Sequence, residues 1–156
     1  MKRITWKRYE ESIKNIIHHF KGYEIGKVVG IYKGGLIPAV QIANALKVPL
    51  DIVVYQSYDG NTKEPIYAYN TGKKNKVLIV DDIIDTGNTI KKVVDLIDAK
   101  EIYIASLVVK TEGFGVLREL DKELSGGSLV SYYIPYYEPS KDCISFPWET
   151  LDNFVE

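Results

Sequence analysis

Cysteine is nearly absent from this chain: Cys143 is the only one in 156 residues. No intrachain disulfide can form, which fits a reducing compartment. Charge of either sign is not in surplus. The 20 lysines and arginines stand against 21 aspartates and glutamates, for a formal charge of −1. That balance removes the general electrostatic drive towards a nucleic-acid polymer or an anionic membrane. Long apolar runs are missing as well. None approaches the ~18 residues that span a bilayer. No apolar segment follows Lys2 and Arg3 in the manner of a secretion signal, so the expected location is the cytoplasm. Repeats, linkers and low-complexity tracts are not found. There is no Walker A pattern, and Gly113-Phe114-Gly115 lacks the third glycine of a dinucleotide fingerprint. His18 and His19 have no acid or cysteine close by in sequence and read as helix-surface or packing residues.

What is present suits one soluble domain with a core: 46% of residues are hydrophobic and 26% charged. Trp6, Tyr9, Ile13, Ile16, Ile17 and Phe20 recur at helical spacing and predict a helix over 5–20, with Thr5 as N-cap and Gly22 as stop. The stretch 27–32 reads as a buried strand. Residues 36–48 read as a helix with Pro38 in its first turn, where proline is tolerated. A strand is expected at 50–58. The polar stretch 59–75, with Gly60, Pro65 and Gly72, is expected to be a mobile hairpin or loop. Then follow a strand at 76–82, a helix near 88–98 and a strand at 101–110. Residues 111–127 read as a looser segment, and 128–134 as a last strand. The tail carries Pro135, Pro139, Pro147 and many aromatics. Strand and helix alternate, which predicts an α/β fold with a mostly parallel sheet and helices on both faces. Ligands of such sheets bind beyond the carboxyl ends of the strands.

One stretch at such an end stands out, "KVLIVDDIIDTGNTI" from Lys76 to Ile90. Four buried-strand residues run straight into Asp81 and Asp82. Asp85 then opens the small-residue turn Asp85-Thr86-Gly87-Asn88-Thr89. The N–H groups of such a turn, with a helix dipole behind them, favour an anion. Thr86 and Thr89 add hydroxyls, and Gly87 permits close backbone approach. The paired acids would repel a phosphate. They suit the hydroxyls of a sugar, or a divalent cation that itself carries phosphates. The stretch therefore asks for one ligand with a phosphate at one end, a diol in the middle and Mg²⁺. Two further loops face the same way. Tyr32-Lys33-Gly34-Gly35 combines a cation with two glycines, and Lys110 ends a run of buried aliphatics.

The stretch Val77 to Thr89 closely resembles the signature of the type I phosphoribosyltransferases, which bind 5-phosphoribosyl-1-pyrophosphate (PRPP). The resemblance implies that Asp81 and Asp82 meet the ribose hydroxyls and the metal, with Asp82 the first metal ligand and Asp81 a second candidate. It implies that residues 85–89 hold the 5′-phosphate. Lys33, Gly34 and Gly35 resemble the pyrophosphate loop, where a basic residue precedes Gly-Gly and the peptide is often strained. The hairpin that opens at Ser57-Tyr58-Asp59 would close over PRPP, with Lys63, Lys73 and Lys74 as its cations.

The nearest branch is that of the small xanthine-guanine and hypoxanthine enzymes. There a lysine in the place of Lys110 bonds the 6-oxo group. The tail "DCISFPWE", Asp142 to Glu149, resembles their C-terminal part. The resemblance thus implies base contacts from Ile84, Lys110 and the backbone near Cys143 and Ile144. Cys143 departs from it, since the bacterial xanthine-guanine enzymes carry a stacking aromatic there. Ile144, Phe146, Tyr133, Tyr136 and Tyr137 are the alternatives for covering the ring.

The resemblance spans residues 25 to 149. It implies one phosphoribosyltransferase domain over 1–156, with a core at about 23–134 and the N-terminal helix and C-terminal tail as a small hood over the base. The expected reaction is transfer of the phosphoribosyl group from PRPP to a 6-oxopurine, with Mg²⁺. Asp85 and Lys33 are the expected catalytic groups, Asp85 as general base. The family's habit implies a homodimer or homotetramer. Two other readings stand beside it: a PRPP-dependent transferase for another base, and a non-catalytic PRPP- or nucleotide-binding regulator.

Overall fold

A computed structural model of the chain describes residues 1–54, 57–58, 61–62, 67–68, 74–123 and 129–149. The elements in chain order are β1 (Lys2–Arg3), α1 (Trp6–Phe20), β2 (Lys27–Tyr32), α2 (Leu36–Leu46), β3 (Leu50–Val54), β4 (Ser57–Tyr58), β5 (Asn61–Thr62), β6 (Tyr67–Ala68), β7 (Lys74–Ile84), α3 (Asn88–Leu96), β8 (Ala99–Lys110), α4 (Thr111–Glu123), β9 (Leu129–Tyr133), β10 (Tyr136–Glu138) and β11 (Ile144–Ser145). The main sheet has the order β10-β8-β7-β2-β3-β6, with β9 also on β8. All its ladders are parallel except that of β6 on β3.

Along the middle of β7 the residues alternate by face, as the period of two requires. Leu78 and Val80 of β7 point towards α1 and α2, where they meet Tyr9, Ile13, Ile16, Phe20 and Ile42. Val77 and Ile79 point the other way, towards Ile90, Val93 and Val94 of α3 and Leu117 and Leu120 of α4. Helices thus cover both faces, and β7 and β8 are buried on both sides. Thr5 caps α1 by accepting the Arg8 N–H at 3.2 Å. β9 and β10 hold a single register on β8. Tyr133 faces Ala105 and Tyr136 faces Val108. The break between them contains Pro135, which lacks the N–H a ladder needs.

Two expectations are corrected. The strand expected at 50–58 ends at Val54, and Ser57–Tyr58 pairs instead with Asn61–Thr62 in a short antiparallel hairpin. The segment 111–127 is not loose: Thr111–Glu123 is a helix. Gly113 and Gly115 disguise its periodicity, but Gly113, Leu117 and Leu120 lie buried on one stripe. Gly113 is required by close approach, since a Cβ there would run into the Ile84 carbonyl. Residues 59–60, 63–66 and 69–73, part of the expected mobile segment and including Lys63 and Lys73, lie outside the described residues.

Candidate active site

The carboxyl ends of β2, β7 and β8 lie side by side, because β7 pairs with both neighbours in parallel. Each end carries one of the loops picked out above. Asp81 and Asp82 follow the buried run Val77 to Val80 of β7, a strand that continues through Ile83 to the buried Ile84. Asp81 is only 9% exposed, and its Oδ1 accepts the Asp82 N–H at 3.0 Å. The Asp82 Oδ1 accepts the Ile83 N–H at 2.8 Å. Burial pushes both carboxyls above their ordinary value. For Asp81 the neighbouring Asp82 charge adds to it. For Asp82 the rise is held back by the Ile83 N–H and reinforced by the charge of Glu149. Among the described residues neither acid is ion-paired with a lysine or arginine.

The β2–α2 loop lies directly against this pair. The Tyr32–Lys33 peptide is cis. A Cβ on Gly34 would overlap the Asp82 carboxylate, and one on Gly35 would lie 2.6 Å from the Ile31 carbonyl oxygen, 2.8 Å from that of Val80 and 2.9 Å from the Asp81 Cα. Only glycine lets the two loops come this close. Lys33 is exposed beside them.

The turn after β7 is open to solvent at Asp85, Thr86 and Asn88, with Thr89 half-buried. Gly87 takes φ +85°, a left-handed value that glycine adopts without strain. It also fits against the Val116 side chain. The Thr86 hydroxyl accepts the Asn88 N–H at 3.4 Å. Gly113 at the start of α4 donates its N–H to the Asp85 carbonyl at 2.7 Å, fixing the turn against the helix. Ile84, expected at the base, has its side chain in the core between the sheet and α3 and α4.

Lys110 and Asp85 come together. The Lys110 Nζ lies 3.5 Å from the Asp85 Oδ1, with the lysine side chain 14% exposed and the aspartate 60%. They share a cavity of about 500 Å³ with Thr86, Thr111, Glu112, Pro139, Ser140 and Lys141. Sequence reasoning missed Pro139, Ser140 and Lys141. Ser140 and Lys141 arrive through the β10 ladder, a non-local pairing that no local pattern signals. Of the aromatics considered for covering a ring, Tyr137 is nearest, since its hydroxyl is 3.0 Å from that of Thr111. Phe146 is buried and stacks on Trp148 at 4.9 Å. Tyr133 stacks on His19 at 4.3 Å. Tyr136 lies under the Arg8 guanidinium. Cys143 and Ile144 do not line this cavity. They belong to the tail segment that pairs with β1.

A comparison with known proteins bears on this arrangement. A family model described as phosphoribosyl transferase domain matches residues 2–129. The chain is 29% identical over 157 residues to the xanthine-guanine phosphoribosyltransferase of Chromohalobacter salexigens, covering 98% of this chain and 86% of the relative. It is 26% identical over 141 residues to the orotate phosphoribosyltransferase of Caldanaerobacter subterraneus, covering 88% and 70%. The crystal structure of purine phosphoribosyltransferase from Pyrococcus horikoshii superposes with a TM-score of 0.74 at 29% identity, covering 94% of this chain and 92% of that one.

Proposed function

The chain belongs to the phosphoribosyl transferase family, and we propose that it transfers the 5-phosphoribosyl group of PRPP to a ring nitrogen of a 6-oxopurine. The products are a nucleoside 5′-monophosphate and pyrophosphate. The observation that carries this reading is the shared cavity of Asp85, Thr86 and Lys110. It sets the start of a phosphate-binding turn and a lysine suited to an oxo group side by side. The xanthine-guanine and purine relatives support the same choice of base.

In the reaction the bond from the sugar C1 to pyrophosphate breaks and the bond from C1 to the purine nitrogen forms. The turn 85–89 anchors the 5′-phosphate and so fixes distance and angle at C1. The cation of Lys33 and the backbone at Gly34 and Gly35 stabilise charge on the departing pyrophosphate. Asp85 takes the proton that the purine N–H loses. Lys110, 3.5 Å from the Asp85 carboxylate, donates to the 6-oxo group.

The acids at 81 and 82 fit Mg²⁺. They form a buried carboxylate pair with no cation among the described residues to neutralise it. No group of three or more metal-ligating side chains converges among those residues. This matches the habit of Mg²⁺, which takes one or two carboxylates and completes its shell with water and phosphate oxygens. Asp82 would hold the ion with Asp81 beside it, and its chemistry is to neutralise pyrophosphate as it leaves.

The test is to incubate the protein with PRPP and Mg²⁺ and offer hypoxanthine, guanine, xanthine, adenine, orotate and uracil separately, with mass detection of the monophosphate and an EDTA control. Conversion confined to 6-oxopurines is the expected result. Conversion of orotate would select the second reading, which the 26% identical orotate relative favours. PRPP binding without conversion of any base would select the regulator.

A further inference from the structure

The first residues of the chain are tied into the tail twice. In the backbone, the Lys2 N–H donates to the Cys143 carbonyl and the Ile4 N–H to the Ser145 carbonyl, both at 2.8 Å. The register is parallel, Lys2 opposite Ile144 and Arg3 opposite Ser145. Backbone groups of successive residues in a strand point to opposite edges. With the carbonyls of 143 and 145 turned to β1, the N–H and C=O of Ile144 turn to the other edge. Pairing with β1 therefore engages the Cys143 carbonyl and leaves the Ile144 backbone facing away from β1.

The second tie is the Lys2 side chain. Its Nζ lies 2.8 Å from both carboxylate oxygens of Glu138. That carboxylate is fully buried, at 0% exposure, while the lysine is 46% exposed. Glu138 also accepts the Tyr136 hydroxyl at 2.8 Å and the Ser140 N–H at 2.9 Å. Its backbone stands opposite Lys110 in the β10–β8 ladder. Ser140, next along, lines the cavity with Lys110 and Asp85. One residue thus joins the segment at 143–145 to the cavity wall at 139–141.

We propose that Lys2 is a positioning residue of the base subsite, setting the place of the cavity wall at Ser140 relative to the Lys110 ammonium. The inference rests on the transfer reading above. Without the Lys2 ammonium, Glu138 is a buried carboxylate with no ion-pair partner among the described residues, and a group in that state moves or takes up a proton. Either change releases Ser140 and lets the tail shift relative to Lys110. The PRPP loops at 33–35 and 81–89 hang from β2 and β7, not from β1 or β10.

The experiment is steady-state kinetics on the full chain, varying the base at saturating PRPP and then PRPP at saturating base, for the unmodified protein, Lys2→Met, Lys2→Arg and Glu138→Gln. Lys2→Met is expected to raise KM for the base by roughly tenfold or more, the equivalent of one lost hydrogen bond to a charged group. KM for PRPP stays unchanged and kcat nearly so. Lys2→Arg restores the base KM, because a guanidinium also bonds both oxygens of a carboxylate. Should Lys2→Met fail to fold, Glu138→Gln, which keeps the side chain's shape, decides by the same split. A base KM that does not move, or two KM values that rise together with loss of thermal stability, overturns the positioning role. An unmodified chain that converts no base overturns the transfer reading and this role with it, whereas an active one with an indifferent Lys2 overturns only this role.

Discussion

Gly34 packs so tightly against Asp82 that any side chain at position 34 would occupy the space of the Asp82 carboxylate. The obstacle is the end of a side chain, which can swing away. At Gly35 the obstacles are the carbonyl oxygens of Ile31 and Val80 and the Cα of Asp81, which cannot. The two glycines should therefore fail differently. Gly34→Ala keeps most of its stability and loses turnover on the order of 100-fold, because the carboxylate is displaced by about an ångström from its working position. Gly35→Ala loses both. Thermal melts alongside PRPP turnover separate the two, and a Gly34→Ala protein with full activity would refute the close loop packing.

Asp82 supplies a test with a pH sign. Burial raises its folded pKa above the ordinary 3.8. Stability linked to it is therefore present at low pH and is lost as pH rises through the folded value, where a buried charge must form. In EDTA, Asp82→Asn should gain on the unmodified protein as pH rises from the ordinary carboxylate value through the folded one. Adding Mg²⁺ with pyrophosphate should reverse the order. A ligand at a hundredfold its Kd stabilises by about 2.7 kcal/mol, and the variant should lose most of that. Equal melting gains in both proteins would place the cation elsewhere.

Much of this arrangement was legible in the sequence, for a local reason. The run Val77 to Val80 marks a doubly buried strand, and β7 is such a strand, although it runs past Asp81 and Asp82 to Ile84. Alternation of strand and helix then gave the parallel sheet. What stayed hidden was non-local. In the sequence Lys27 reads only as part of the buried strand 27–32, with no partner foreseen; it is 4% exposed and its Nζ lies 2.7 Å from Asp51 on the neighbouring strand. The cavity wall at 139–141 follows from the register of β10 on β8, which no short pattern encodes. Helix α4 was obscured by Gly113, whose presence is dictated by the Ile84 carbonyl and not by helix propensity.

The pairing of Lys110 with Asp85 at 3.5 Å predicts a division of labour. Lys110→Ala removes the donor to the oxo group and should cost about 1.5–3 kcal/mol in base binding, the range for a hydrogen bond to a charged group. Asp85→Asn should leave PRPP binding intact and lower turnover by about 10² to 10⁴, the usual contribution of a positioned base. Isothermal titration with PRPP and single-turnover rates measure the two separately. Unchanged turnover in Asp85→Asn would reduce that residue to shaping the loop.

Glu138 makes the last prediction, on acid stability. Its bonds from Lys2 and the Ser140 N–H hold the carboxyl down at about 2, against an ordinary 4.5. A depressed folded pKa means that the carboxylate's contribution is fully present above the unfolded value and fades as pH falls from there through the folded one. Urea melts of the unmodified protein and of Glu138→Gln should differ by a constant amount from pH 7 down to the ordinary value. Below it the gap should close, nearing zero as the folded value is reached. His19 works in the same direction, since burial lowers its pKa and its ring is stacked on Tyr133. It is common to both proteins, so it cancels in the difference. A gap as wide at pH 3 as at pH 7 would mean that the shape of Glu138, and not its charge, holds the tail to the first strand.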